Sequence, residues 1–234
     1  MRFALLLPLV VTLASASGCA PPASSPASTP TAPAAAADHH GPHMHRFQSA
    51  DQWAKEFDDP ARDAWQRPAD VVAAMRLQPG MTVVDLGAGT GYFLPHLSRA
   101  VGPGGHVIAL DIEPDMVRYM TERATREHLA NVTARVVAVD DPGLPSGSVD
   151  RVLVVDTWHH IAGRPAYAAK LLAALAPGGA VFVVDFKLEA SHGPPPEHRL
   201  APSLVAAELA QGGLSAEILA LPLPEQYVVA GRRP

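Results

Sequence analysis

One cysteine in 234 residues excludes an intramolecular disulfide framework and any zinc site built on several cysteines. There is no basic excess either. Charged residues make up 18% of the chain and the formal net charge is −5, so the electrostatic footprint of a phosphate-backbone binder is missing and nucleic acid is not the expected partner. No G-x-S-x-G nucleophile elbow and no H-E-x-x-H metal motif occurs. The longest apolar run near the N-terminus, Phe3 to Leu13, is too short to span a bilayer as a helix. What is left has the length for one catalytic domain with a sizeable core.

The first residues present have the order of a signal peptide: Met1-Arg2, the apolar run, then the small residues Ala14 to Gly18 leading into Cys19. Ala16-Ser17-Gly18-Cys19 resembles a bacterial lipobox, with Ala16 where leucine is usual. That resemblance implies a lipid anchor at Cys19 and a place in the cell envelope, on the periplasmic side of the outer membrane; ordinary secretion is the alternative. Residues 20–37 are almost entirely Ala, Pro, Ser and Thr and predict a disordered, partly extended stalk within a linker over 19–45. At its end stand His39, His40, His43 and His45, either a weak site for zinc, copper or nickel or a solvated linker. A translation start at Met44 would instead give a cytoplasmic enzyme.

The stretch Val83-Val84-Asp85-Leu86-Gly87-Ala88-Gly89-Thr90-Gly91 reads as the end of a buried strand, a tight glycine turn and the approach to a helix over Phe93 to Val101. A dinucleotide fingerprint would need its third glycine at Tyr92, so the pattern is D-x-G-x-G-x-G. Asp111 closes the next predicted strand, Gly105 to Leu110, about 20 residues past the glycines, where a carboxylate can accept hydrogen bonds from both hydroxyls of a ribose. Further predicted strands lie at Val132 to Val139, Asp150 to Asp156 and Ala180 to Phe186. Predicted helices lie at Ala69 to Leu77, Asp115 to His128 and Arg164 to Ala176. Such alternation predicts parallel crossovers. Only four residues separate Ala216 to Leu221 from Gln226 to Arg232, which forces an antiparallel hairpin.

Taken with the turn Leu175-Ala176-Pro177-Gly178-Gly179, these motifs resemble class I S-adenosylmethionine (SAM)-dependent methyltransferases over the last two thirds of the chain. In motif style they are similar to the branch that contains quinone- and sterol-methylating enzymes. The resemblance implies an α/β, doubly wound, seven-stranded sheet over 79–234, mostly parallel with a C-terminal antiparallel hairpin. It also implies SAM as cofactor and a small-molecule acceptor. The cofactor would be held by Asp85, Gly87, Gly89, Gly91, Asp111 and Ile112, with Asp140 reaching the adenine and Asp141 beside it as cofactor contact, cap or turn residue. Residues 46–78, with Phe47, Trp53, Phe57 and Trp65, would form a helical cap whose tryptophans either line the pocket or pack as core.

Methyl transfer is an in-line displacement that asks mainly for alignment and exclusion of water. Where the acceptor must lose a proton, His159 or His160, at the carboxyl end of the fourth strand, is the candidate base. Both are alternatively pocket wall or hydrogen-bonded support. Asp185, Phe186, Lys187, His192, His198 and Arg199 border the expected acceptor site, with 193–196 an ordered loop. No metal is expected in the domain. Because SAM is made in the cytosol, a rival reading is an envelope-tethered ligand- or metal-binding protein that retains the fold.

Overall fold

The structure, a computed structural model, describes residues 49–234. The expectations for the signal segment, Cys19, the linker histidines, Met44 and Phe47 lie outside the described residues. The described chain begins with α1 (Ala50–Phe57), a 3-10 turn (Pro60–Arg62), α2 (Asp63–Gln66) and α3 (Pro68–Ala74). Then strands and helices alternate, except that no helix separates β3 from β4: β1 (Thr82–Leu86), α4 (Leu94–Val101), β2 (His106–Asp111), α5 (Pro114–Arg126), β3 (Val132–Val136), β4 (Val149–Val155), α6 (Arg164–Ala174) and β5 (Leu175–Phe186). The chain closes with α7 (Pro202–Gln211), β6 (Ser215–Leu219) and β7 (Gln226–Arg232).

The central strands are apolar at successive positions because both faces of the sheet are covered. Val83 belongs to the core cluster that contains Met75, Leu97 and Val101, while its neighbour Val84 belongs to the second cluster, which contains Leu171, Val205 and Leu209. Each such fully buried aliphatic side chain contributes about 1.5–3 kcal/mol. The seven strands lie in the order β3-β2-β1-β4-β5-β7-β6, parallel through β5, with β7 antiparallel to both of its neighbours. The chain therefore leaves β1 towards β3 on one side and returns through β4 on the other. The crevice beyond the carboxyl ends of β1 and β4 is the switch point where open sheets of this kind bind ligands.

The expected seven-stranded fold with its hairpin is the observed one, with differences at the ends of elements. β3 stops at Val136, short of Val139, because Ala138 bridges to Asp141 and turns the chain away from the edge. β5 starts at Leu175, five residues early, since the Leu175 to Gly179 turn pairs Leu175 with Val149 across an irregularity in the ladder. α3 ends at Ala74, just before Arg76 takes a left-handed conformation (φ 51°). Helix α7 was not among the predicted elements. Of the 193–196 run, Gly193 to Pro195 is loop as expected and Pro196 opens a 3-10 turn (Pro196–His198), while the Arg199 guanidinium donates to the carbonyls of Leu188, Ala190, His192 and Pro194.

Candidate active site

At the end of β1 the amides of Gly87 and Ala88 donate to the Leu110 carbonyl of β2, at 2.8 and 3.0 Å, which pins the glycine turn to its neighbour. The next amide, Gly89, donates to Asp111 Oδ2 at 2.9 Å, while Asp111 Oδ1 accepts the Glu113 amide at 2.9 Å. Turn and carboxylate are thus one hydrogen-bonded unit. Asp111 is 9% exposed, and burial pushes its pKa up against the lowering effect of the Glu113 and Gly89 amides. The glycines differ in what they face. A Cβ on Gly87 would fall 2.4 Å from the Thr157 side chain, so that glycine is demanded by packing. A Cβ on Gly89 would meet only the Phe57 ring, at 3.6 Å, so its open side looks into the space beneath the N-terminal segment.

Of the other residues expected near a cofactor, Ile112 is exposed directly after Asp111. Asp140 and Asp141 stand exposed on the segment after β3. Asp141 is occupied as a turn residue: its carboxylate accepts the Gly143 amide at 2.8 Å and lies 3.5 Å from Lys170, whose ammonium bonds the Asp140 carbonyl at 2.6 Å. Asp85 is 3% exposed, and its carboxylate accepts no hydrogen bond among the described residues. Burial lifts its pKa to about 7, with the Arg62 cation opposing and the Asp111 charge adding to the rise.

Residues 50–67 lie over this unit and are fastened to it by charge. The Asp58 carboxylate accepts from Thr90 of the glycine turn (2.7 Å) and from Tyr119 (3.2 Å) and Arg123 (2.8 Å) of α5. Arg62 stacks its guanidinium over the Tyr92 ring at 4.4 Å and stands 3.6 Å from Asp156, while the Tyr92 hydroxyl bonds Asp63. Two fully buried glutamines continue the chain, Gln66 to Gln226 and Gln226 to Asp156 Oδ1 at 2.6 Å. Trp65 stacks on His192 at 5.6 Å and lies 5.7 Å from Phe186, so it covers the end of β5.

On the far side of the switch point, Asp156 follows β4 in a left-handed conformation (φ 50°), a strain that non-glycine residues adopt where surrounding structure enforces it. Burial raises its pKa as well, with Arg62 opposing. The 3-10 turn Trp158–His160 follows. It is held from behind by the fully buried Trp158, whose indole N–H donates to Glu208 of α7 at 3.0 Å, and Glu208 is itself gripped by Arg164 at 2.8 Å. His159, with 4% of its side chain exposed, places Nδ1 3.0 Å from both oxygens of the fully buried Asp185. Burial alone would lower the His159 pKa, but the hydrogen bond and charge of Asp185 override it and the net shift is upward. The His160 ring lies 4.1 Å from that of His159.

The sequence reading named the backbone unit and the histidines. It did not single out Arg62, Gln66, Asp156, Glu208 or Gln226, and it gave Asp185 no partner. The one available signal was position, since Asp156 and Asp185 both end strands at the edge where ligands bind. Among the described residues no group of three or more His, Cys, Asp or Glu is placed to hold a metal ion.

A family model described as Methyltransferase domain matches residues 77–211, more than half of the 234. The chain is 35% identical over 104 residues to a nocamycin O-methyltransferase of Saccharothrix syringae, which covers 44% of this chain and 37% of that one. It is 34% identical over 142 residues to a 2-methyl-6-phytyl-1,4-hydroquinone methyltransferase of Synechocystis sp., covering 56% and 42%. The chain thus spans less than half the length of these curated relatives. Among solved structures it is similar to a SAM-dependent methyltransferase from Aquifex aeolicus, with a TM-score of 0.74, 28% identity, and coverage of 80% of this chain and 99% of that one.

Proposed function

Because the chain belongs to the methyltransferase-domain family, we propose that it is a SAM-dependent methyltransferase acting on a small molecule, with the cofactor held along the carboxyl ends of β1 and β2. The observation that carries this reading is the bond from the Gly89 amide to Asp111, which joins the glycine turn and the acidic strand end into one receptor. A carboxylate offers about four acceptor positions, so Asp111 retains capacity for a pair of ribose hydroxyls beyond the Gly89 and Glu113 amides. Gly89 leaves room for close backbone approach, and exposed Ile112 offers an apolar edge beside it. SAM supplies a methyl group on a sulfonium, a leaving group already activated by its charge.

For an acceptor that must lose a proton, His159 is the better-equipped of the two histidines. Asp185 fixes the proton on Nδ1 and leaves Nε2 as the accepting nitrogen, while the Trp158–Glu208–Arg164 chain holds the turn in place. Trp65, Phe186 and His192 furnish an aromatic wall at the end of β5. A small-molecule acceptor is supported by the names of the nocamycin and hydroquinone methyltransferases and by the formal charge of −5, which gives no basic footprint. The test is incubation of the full chain with methyl-labelled SAM and small-molecule extracts. Label should appear in a low-molecular-mass product; label that enters only protein or nucleic acid would overturn the acceptor class.

We also propose that the protein is anchored in the cell envelope through Cys19, a reading supported by the Met1 to Cys19 sequence alone. A fatty-acid probe should label the wild type and leave Cys19→Ser unlabelled. An unlabelled wild type would contradict it.

A further inference from the structure

The turn that carries His159 is anchored from three directions. Behind it Trp158 bonds Glu208 of α7, and beside it the Thr157 hydroxyl donates to the Gly87 carbonyl of the glycine turn at 3.3 Å. The third anchor is Asp156, which leads from β4 into the turn in its left-handed conformation. Such a conformation persists only where neighbours enforce it. The Asp156 amide is tied to the Val184 carbonyl at 2.9 Å, and its carboxylate is held by side chains: Gln226 Nε2 donates to Oδ1 at 2.6 Å, and the Arg62 guanidinium stands 3.6 Å from Oδ2.

Those two partners are themselves joined. Arg62 Nε–H and an Nη2–H donate to Gln66 Oε1 at 3.0 and 2.8 Å, and Gln66 Nε2 donates to Gln226 Oε1. Arg62, Gln66, Gln226 and Asp156 therefore form a closed ring in which every hydrogen bond runs from the cation towards the carboxylate. An amide side chain has one accepting and one donating end, so the charges at the two ends of the row fix the orientation of both glutamines. Both glutamines are fully buried, so loss of one leaves the next with an unpaired polar group out of reach of water.

Of the four, only Asp156 lies within the matched methyltransferase domain, 77–211; Arg62 and Gln66 come from the segment ahead of it and Gln226 from β7 beyond it. We propose that Gln66 and Gln226 are positioning residues, through which the N-terminal segment holds Asp156 and with it the turn that aims His159 at Asp185. This role rests on the reading of His159 as a base. It makes that base conditional on the segment. With residues 50–67 docked, the ring is closed and the turn is fixed; with the ring opened, Asp156 is free to leave its left-handed conformation and His159 to leave Asp185. A reaction that must exclude water gains from a base that is assembled only under its cover.

The test is an NMR titration of the His159 ring in the full chain, with a thermal melt of each variant to show that it is folded. Gln66→Met removes a side chain whose hydrogen-bond partners are Arg62 and Gln226, not His159 or Asp185. It should nevertheless lower the His159 pKa by about half a unit or more, because burial without the grip of Asp185 lowers it. Gln226→Met should do the same, and the double variant should shift no further than either single one, since one break opens the ring. Arg62→Lys, which keeps the charge and loses the two-pronged hold on Gln66, should give a smaller shift in the same direction, and it decides the matter if the buried replacements do not melt cooperatively. A His159 titration that stays at the wild-type value in the folded variants would overturn the ring's role whatever His159 does in catalysis, and so would a double variant whose shift is the sum of the two singles. Undiminished methyl transfer from labelled SAM to small-molecule extracts by His159→Gln would instead overturn the base, while the titration shifts remain.

Discussion

The two halves of the carboxyl-terminal sheet edge are built by different means. On the β1–β2 side, the glycine turn and Asp111 are joined through backbone amides across 22 residues of chain. On the β4–β5 side, the side chains that meet come from the whole length of the chain: His159 and Asp185, Glu208 behind them, and Gln226 bonded to Gln66 160 residues earlier. A site made by backbone needs a particular turn, and a turn is written in adjacent residues. A site made by side chains from distant segments needs only a buried acid or amide at each place, and nothing local announces which will meet.

That contrast yields predictions, beginning with the largest. Gly87→Val should unfold or severely destabilise the protein, by more than about 3 kcal/mol, because its Cβ would overlap Thr157 at 2.4 Å on a left-handed backbone. Gly89→Ala, with a Cβ contact no nearer than 3.6 Å, should lose only the about 1 kcal/mol of left-handed strain and yet lose SAM affinity. Thermal melts paired with calorimetry separate the two. Equal destabilisation of both variants would mean that Gly89 also serves packing.

Asp111→Ala should weaken SAM roughly ten- to a thousandfold. It also frees two backbone amides, those of Gly89 and Glu113, so stability should fall by about 1–3 kcal/mol, measurable by denaturant titration. Unchanged affinity would remove Asp111 from the cofactor site.

A pH effect distinguishes the acids from the backbone. Asp85 holds its proton up to about pH 7 in the folded free protein, against about 4 in an unfolded chain. The folded state therefore binds the extra proton between these values, and this group favours the fold most below about pH 4 and progressively less as pH rises through 7. A cationic ligand needs the ionised form. SAM affinity should accordingly fall by up to about tenfold per unit as pH drops below about 7. An affinity flat from pH 5 to 8 would contradict a direct role for Asp85.

The smallest effect on cofactor binding is expected on the other half. Asp185→Asn should leave SAM affinity within about threefold but lower the His159 pKa, read by NMR titration, because Asp185 is what raises it. In the wild type, a raised histidine pKa contributes stability that is complete below about pH 6.5 and lost as pH climbs through the folded value. An unmoved His159 titration would dissolve the dyad.

Legibility followed the same division. The order of strands and helices was readable because apolar runs and Gly–Pro punctuation carry it, and the short 222–225 link fixed the hairpin. The end of β3 was not readable: Val137 to Val139 is as β-branched as a strand, but the Ala138–Asp141 bridge takes it off the edge. Helix α7 hides behind the proline-rich loop, and with it went Glu208, whose carboxylate positions the histidine turn from 50 residues away. Arg62 gave no local signal at all, since only tertiary packing over Tyr92 makes it part of the cleft.

The most direct measurement is calorimetric titration of the full chain with SAM at pH 8, where Asp85 is ionised. A cofactor held by the glycine turn and Asp111 predicts saturable one-to-one binding in the roughly micromolar to submillimolar range. No saturable heat at millimolar SAM would contradict the claim that the glycine turn and Asp111 form a cofactor site.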